Sequence, residues 1–221
     1  MGKFAMRKVV FLVSGNGGNL KAFDLYLSKA SLTDSVKLYC IADRECRAFH
    51  FCKEKNIDSF CIEYNKNNNL QLKVLLEKIK PDLIVTNWNK IIDKDLVGEY
   101  RGKLVNLHYS LLPLYGGFIG VKPIDIAYEY GNFIGVTTHE VDEGVDSGPI
   151  LTQSIYRNEY TLMESYEKSF RSGALMLISD LLTKLNITYG QSVRNFEDIE
   201  FFPSLNLDIS IVNDDYWKVI K

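Results

Sequence analysis

The chain has 221 residues, enough for one substantial domain, or one domain with an appendage. It is 46% hydrophobic and 24% charged, with a formal net charge of −2 and no Pro/Gly/Ser-rich tract that would suggest disorder, and it lacks the broad basic footprint of a nucleic-acid partner. No apolar run reaches the roughly 18 residues of a membrane span. The start, Met1 to Met6, lacks a signal-peptide profile, and Gly2 lacks the Ser or Thr at position 6 that myristoylation wants. A cytoplasmic protein without membrane contact is expected. The four cysteines, Cys40, Cys46, Cys52 and Cys61, match neither a CxxC pair nor a zinc knuckle, so reduced core thiols and no metal are expected.

Val9 to Val13 is a β-branched apolar run of the kind buried on both faces of a parallel sheet. It ends in Ser14-Gly15-Asn16-Gly17-Gly18-Asn19, after which Leu20, Phe23, Leu27 and Ala30 recur at helical spacing. The pattern repeats with a strand at Val36 to Ala42, a helix from Ala48 to Lys55 and a short strand at Phe60 to Ile62. A helix from Leu70 should stop at Lys80, because Pro81 disfavours α conformation before it. Leu83 to Thr86 and Leu104 to Leu107 read as the fourth and fifth strands. Strands alternating with helices predict an α/β fold, an open, mostly parallel twisted sheet with helices on both faces. The second half differs: Gly135 to Val141 and Ile150 to Ile155 read as strands around a loop, and Glu164 to Leu185 as a long amphipathic helix. A domain over 1–187 and an extension over 188–221 follow. That extension carries Phe196, Phe201, Phe202, Tyr216 and Trp217, and is expected to pack on the core or on a partner, a second copy included.

In open α/β sheets ligands bind beyond the C-terminal ends of the parallel strands. Three loops qualify: Gly15 to Asn19, Asn87 to Lys90, and His108 to Gly117. The first has two readings, an anion cradle at a helix N-terminus or a tight turn that needs glycine for steric reasons. It is neither a Walker loop nor a GxGxxG motif, since Leu20 holds the third glycine position. In the fifth strand Asn106 and His108 are two apart and so share a face. An amide that donates to an oxyanion beside an imidazole that carries charge suits acyl transfer. Of the other histidines, His50 is assigned a packing role on its helix and His139 is left open. Asp142, Glu143 and Asp146 flank glycines between two strands. They form either a solvated turn or a loop from which one carboxylate turns inward to orient His108.

Together and in this order, the glycine loop, Asn106-x-His108 with Ser110-Leu111-Leu112-Pro113, and Asp146-x-Gly148-Pro149-Ile150 resemble the folate-dependent formyltransferase family, from residue 7 to about 186. The resemblance implies a Rossmann-like fold and 10-formyltetrahydrofolate as co-substrate. It makes Asn106, His108 and Asp146 the catalytic trio and a small-molecule amine the acceptor. It puts the folate pterin against Trp88, Asn89, Lys90, Ile91 and Ile92 and against Val141, Asp142, Glu143, Gly144 and Val145. The acceptor would be held by Gly15, Asn16, Gly17, Gly18, Asn19, Tyr109, Ser110, Lys122 and Phe170.

The sequence departs from the family pattern around the acceptor. Gly18 replaces a Ser or Thr, Leu114 a basic residue, and Asn89-Lys90 a Met-Arg pair. Phe170 falls near a ribose-binding Glu, and Tyr115 to Lys122 is longer than usual. The altered stretch and the aromatic tail favour an amino-sugar nucleotide as acceptor. The retained Gly15, Gly17 and Asn19 favour glycinamide ribonucleotide of purine synthesis. A folate- or nucleotide-binding module without activity is the non-enzyme reading.

Overall fold

A computed structural model describes residues 6–65 and 67–220. Met1 to Ala5 of the N-terminal stretch read above lie outside the described residues, as does Lys221 at the end of the tail. The chain forms two compact units, one from the residues up to Leu104 together with Ser210 onward, the other from Val105 to Ile209.

The first unit is built from β1 (Arg7–Val13), α1 (Gly18–Lys29), β2 (Val36–Ala42), α2 (Arg47–Glu54), β3 (Asp58–Cys61), α3 (Leu70–Ile79), β4 (Leu83–Asn87) and α4 (Lys94–Glu99). Its strands pair in parallel in the order β3-β2-β1-β4, with Val9 opposite both Leu38 and Leu83. Val9 to Leu12 are fully buried, as their unbroken apolar run requires. At the end of α3, Lys80 takes a left-handed φ of 53° and its N–H caps the Leu76 carbonyl, so the helix stops before Pro81. α4, not expected above, is a short helix started by Asp93, whose side chain accepts from Leu96 N.

The second unit runs through β5 (Leu104–His108), α5 (Lys122–Tyr130), β6 (Phe133–Glu140), β7 (Ile150–Arg157), α6 (Leu162–Lys184), β8 (Gln191–Phe196) and β9 (Ile199–Leu207). Here pairing is antiparallel: β5 with β6, β6 with β7, β7 with β9, and β9 with β8. A capping box starts α6, the Thr161 hydroxyl accepting from Glu164 N while the Glu164 carboxylate accepts from Thr161 N. The tail divides between the units. Its β8–β9 hairpin extends the antiparallel sheet through β7, while α7 (Asp214–Ile220) packs against α1, with the Tyr216 hydroxyl donating to the Ala22 carbonyl.

Two readings of side chains need correction. His50 is exposed on α2, whose helical period turns Ala48, Phe49 and Cys52 inward instead. All four cysteines are free, but Cys40 and Cys52 alone are buried; Cys61 is exposed because β3 leaves both its ends open to solvent. Among the described residues no helix is long and apolar enough to cross a membrane.

α6 carries one carboxyl group toward the sheet. Asp180 keeps some contact with water, yet burial pushes its pKa up to about 6, against the lowering effects of the Thr138 and Thr152 hydroxyls and of Lys184. Because the folded pKa lies above the unfolded value of 3.8, the stability this group contributes is complete below pH 3.8 and is lost as pH rises through 6. Asp180→Asn should therefore become progressively more stable than the natural protein between pH 4 and pH 7. The gain is up to about 3 kcal/mol, lowered by whatever water reaches the carboxyl, and is measurable by urea unfolding at the two pH values.

Candidate active site

Asn106 and His108 leave β5 on one face, and the antiparallel register sets Asn106 opposite His139 and His108 opposite Thr137. Four polar side chains of adjacent strands thus share one face. Thr137 spends its hydroxyl on structure: it donates to the Ser110 carbonyl (2.6 Å) and accepts from Leu112 N (3.1 Å) and Gln153 Nε2 (3.1 Å), which pins the segment leaving β5.

The loop after β6 supplies the carboxylate. Asp142 stays within its own turn, accepting from Gly144 N at 3.0 Å and Ser147 Oγ at 2.8 Å. Asp146, in a left-handed conformation with φ 53°, turns inward instead. Its Oδ2 accepts from Gly117 N at 2.8 Å and lies 3.3 Å from His108 Nδ1, while Oδ1 lies 3.6 Å from His139 Nε2. Its side chain is 11% exposed. Burial alone would raise its pKa, but the His139 contact, the Gly117 amide and the two imidazoles outweigh that and hold it below the ordinary carboxylate value.

Hydrogen-bond partners fix how the rings are protonated. A carbonyl oxygen can only accept, so His108 Nε2–H donates to the Tyr115 carbonyl (2.9 Å), and its Nδ1 faces a carboxylate. Both nitrogens meet acceptors, and the doubly protonated ring satisfies both. His139 Nδ1–H donates to the Glu140 carbonyl (2.8 Å), which leaves Nε2 to accept from Asn106 Nδ2 at 3.3 Å. A proton arriving at His139 Nε2 meets Asp146 Oδ1. The structure therefore brings together the three side chains expected from sequence and adds His139. The signal was available: once the strand at 135–141 pairs antiparallel with the one carrying Asn106, alternation puts His139 on the same face.

The remaining expected residues separate into those with room for a ligand and those already engaged. Ser110 is buried and donates to the Leu114 carbonyl, a structural task rather than the acceptor contact expected of it, because the chain folds back on itself after Pro113. Tyr109 is half-buried, and burial pushes its phenol up to about 12. Lys122 is exposed at the first turn of α5, and Phe170 is half-exposed on α6. Of the loop after β6, Glu143, Gly144 and Val145 are exposed and Val141 half-buried.

In the first unit, Gly17 is the left-handed N-cap of α1 (φ 67°), and a Cβ there would stand 2.5 Å from the Ala48 Cβ. Asn16 Oδ1 accepts from Arg47 (3.5 Å), Asn19 Nδ2 donates to Asn87 Oδ1 (3.2 Å), and Gly15 and Gly18 are exposed and half-buried. Trp88 is buried and stacks on Tyr64 with ring centres 4.8 Å apart. Its indole Nε1 is buried with no hydrogen-bond partner among the described residues, an orphan donor of the sort that a ligand or water completes. Asn89 N donates to Ser14 Oγ, Lys90 pairs with Asp43 at 3.8 Å, Ile91 is exposed with its carbonyl accepting from Tyr64, and Ile92 is buried. The orphan Nε1 fits a ligand with an acceptor atom on its edge.

The profile of the formyl transferase family matches residues 7–172. The chain belongs to the formyl transferase family. It is 29% identical to the phosphoribosylglycinamide formyltransferase of Bacillus subtilis (strain 168) over 171 residues, 74% of this chain and 86% of that one. It is 39% identical to the formyltetrahydrofolate deformylase of the same organism over 88 residues, 39% of this chain and 28% of that one. The crystal structure of glycinamide ribonucleotide transformylase 1 from Geobacillus kaustophilus superposes with a TM-score of 0.71 at 26% identity, covering 82% of this chain and 100% of that one. As a member of this family the chain is a folate-dependent enzyme of formyl transfer, with 10-formyltetrahydrofolate as its co-substrate.

Gly17 answers to sterics before it answers to any ligand. Gly17→Ala should lose about 2 kcal/mol or more in urea unfolding, from the left-handed backbone together with overlap on Ala48. Unchanged stability would refute that reading.

Proposed function

We propose that the chain transfers the formyl group of 10-formyltetrahydrofolate to the primary amine of glycinamide ribonucleotide, with Asn106, His108, His139 and Asp146 as the reacting groups. One observation carries the chemistry: a buried carboxylate lies 3.3 Å from one imidazole and 3.6 Å from a second, whose Nε2 is 3.3 Å from an amide. The neutral amine attacks the formyl carbon, and the carbonyl electrons move onto oxygen. Asn106 Nδ2–H and His108 Nε2–H, the latter giving up the Tyr115 carbonyl, hold that oxyanion. His139 and Asp146 take the proton released by the amine, and the folate nitrogen leaves with a proton as the old C–N bond breaks. The orphan Trp88 Nε1 supports folate as the donor.

Three considerations favour the ribonucleotide over an amino-sugar nucleotide. The relative that matches over most of its length is named for that acceptor. Gly15, Gly17 and Asn19 are retained. The tail aromatics that suggested a shelf for bases are largely spent inside the fold, with Phe201, Tyr216 and Trp217 buried.

Turnover of 10-formyltetrahydrofolate should be assayed with glycinamide ribonucleotide, with amino-sugar nucleotides, and with no amine. Formylation of the ribonucleotide is expected. Turnover of an amino sugar alone would overturn the acceptor, and formate release without any amine would make the enzyme a deformylase. His108→Ala should lower kcat about a hundredfold or more, since it removes an oxyanion donor, while Asp146→Asn should act through both imidazoles with a loss of similar size. A His108→Ala enzyme of near-natural rate would sink the mechanism.

A further inference from the structure

His139 lies between two residues that α6 holds. Alternation along β6 turns Thr138 and Glu140 away from the reacting face, toward α6, and α6 grips both. The Thr138 hydroxyl meets Asp180 Oδ2, and one turn along the helix Lys184 Nζ donates to Glu140 Oε1 at 2.6 Å. Asp180 also reaches the next strand, accepting at Oδ1 from Thr152 Oγ1 at 2.7 Å.

These grips fall beside an irregularity in the β6–β7 pairing. The β6–β7 register shifts between Thr138 and His139, and such an irregularity interrupts the ladder and re-aims the side chain beside it. Past it, the strands close tightly again: Glu140 N donates to the Pro149 carbonyl at 2.9 Å, and a Cβ on Gly148 would come within 1.9 Å of the Glu140 oxygen. Pairing with β5, Asn106 opposite His139, sets the face of residue 139, while on the β7 side the extra residue, Leu151, leaves the local backbone path to the contacts around it. The hydroxyl of Thr138 bridges the two strands there, accepting from Thr152 N at 3.2 Å and lying 3.2 Å from the Thr152 carbonyl.

A count of protons shows how the cluster is satisfied. Thr138 has one hydroxyl proton and two acceptors in reach, the Thr152 carbonyl and Asp180. With Asp180 ionised, Thr138 donates to its Oδ2 and Thr152 to its Oδ1; with it protonated, the acid O–H donates to Thr138 and Thr138 to the Thr152 carbonyl, Thr152 Oγ1 still donating to the other acid oxygen. Every donor then has an acceptor.

We infer that Asp180 is a positioning residue: through Thr138 on β6 and Thr152 on β7 it fixes the irregularity between these strands beside His139, and with it the aim of His139 at Asn106 and Asp146. This rests on the reading of those three side chains as reacting groups. An asparagine at 180 can reproduce the protonated acid, its Nδ2–H donating to Thr138 and its Oδ1 accepting from Thr152. A leucine of similar shape can do neither.

The test is long-range proton–nitrogen NMR of the His139 ring in the full chain labelled with 15N-histidine, without substrates, alongside steady-state kinetics. The natural protein and Asp180→Asn should both show the Nδ1–H tautomer of His139. Asp180→Leu should show mixed tautomers or a displaced ring signal, and a kcat about tenfold lower or more with KM for folate changed little, as expected when a reacting group is displaced and substrate binding is not. Circular dichroism and urea unfolding check that the variant is folded; if it is not, the isosteric pair Thr138→Val with Thr152→Val removes the same hydroxyls and should give the same spectrum. A folded variant with natural His139 signals and natural kcat overturns the proposal. Because the spectra need no substrate, a wrong acceptor would appear as absent turnover with the ring signals still readable.

Discussion

A carboxylate taken nearly out of water demands compensation, and the second unit is organised around supplying it to Asp146. Without partners, burial would drive this acid toward its neutral form. An amide from Gly117 and imidazoles from β5 and β6 reverse that pressure. The dependence is mutual, because His108 presents both nitrogens to acceptors and is satisfied as a cation only while Asp146 stays ionised. Three pieces of chain must therefore arrive together: the exit of β5, the end of β6 and the turn at 142–149. The left-handed backbone at Asp146 is what lets the last of these point a short side chain inward.

Much of this arrangement was legible in the sequence, for identifiable reasons. Val9 to Val13 could only be a buried strand, and Asn106 with His108 had to share a face whatever the sheet looked like. What escaped was set by pairing between strands. His139 joins the group because β6 runs antiparallel to β5 in one particular register, and one strand's own pattern does not carry that information. The short helices α4 and α5 escaped too, with 6 and 9 residues. His50 misled for the opposite reason, since apolar neighbours in sequence are not neighbours in space on a helix of 3.6 residues per turn.

The glycine loop and the aromatic tail show how a local motif can carry two meanings. Glycine at position 17 is compatible with an anion cradle, yet the approach of Ala48 explains it without any ligand. Tail aromatics suggest stacking surfaces in the abstract. Here Phe201 is sealed in the antiparallel sheet, and Tyr216 with Trp217 closes α7 onto α1, so the same residues that suggested a sugar pocket instead anchor the end of the chain. Both cases were decided by which atoms stand within about 4 Å, a fact of tertiary structure that propensity cannot supply.

The Tyr115 carbonyl on His108 Nε2 has a consequence for catalysis under the proposed mechanism. In the resting enzyme the donor is not left unsatisfied, so no free energy is stored in a bare N–H. A neutral carbonyl is nevertheless a weaker acceptor than an oxyanion, and hydrogen bonds to charged partners are roughly twice as strong as neutral ones. Exchanging one for the other costs little in the ground state and gains most when charge has developed on the formyl oxygen. That difference, rather than the absolute strength of the bond, is what lowers a barrier. It also gives a reason for the extended stretch after Pro113: the loop places an acceptor over the imidazole while its Gly117 amide holds Asp146, so the same segment keeps donor and carboxylate in register until substrate displaces the carbonyl.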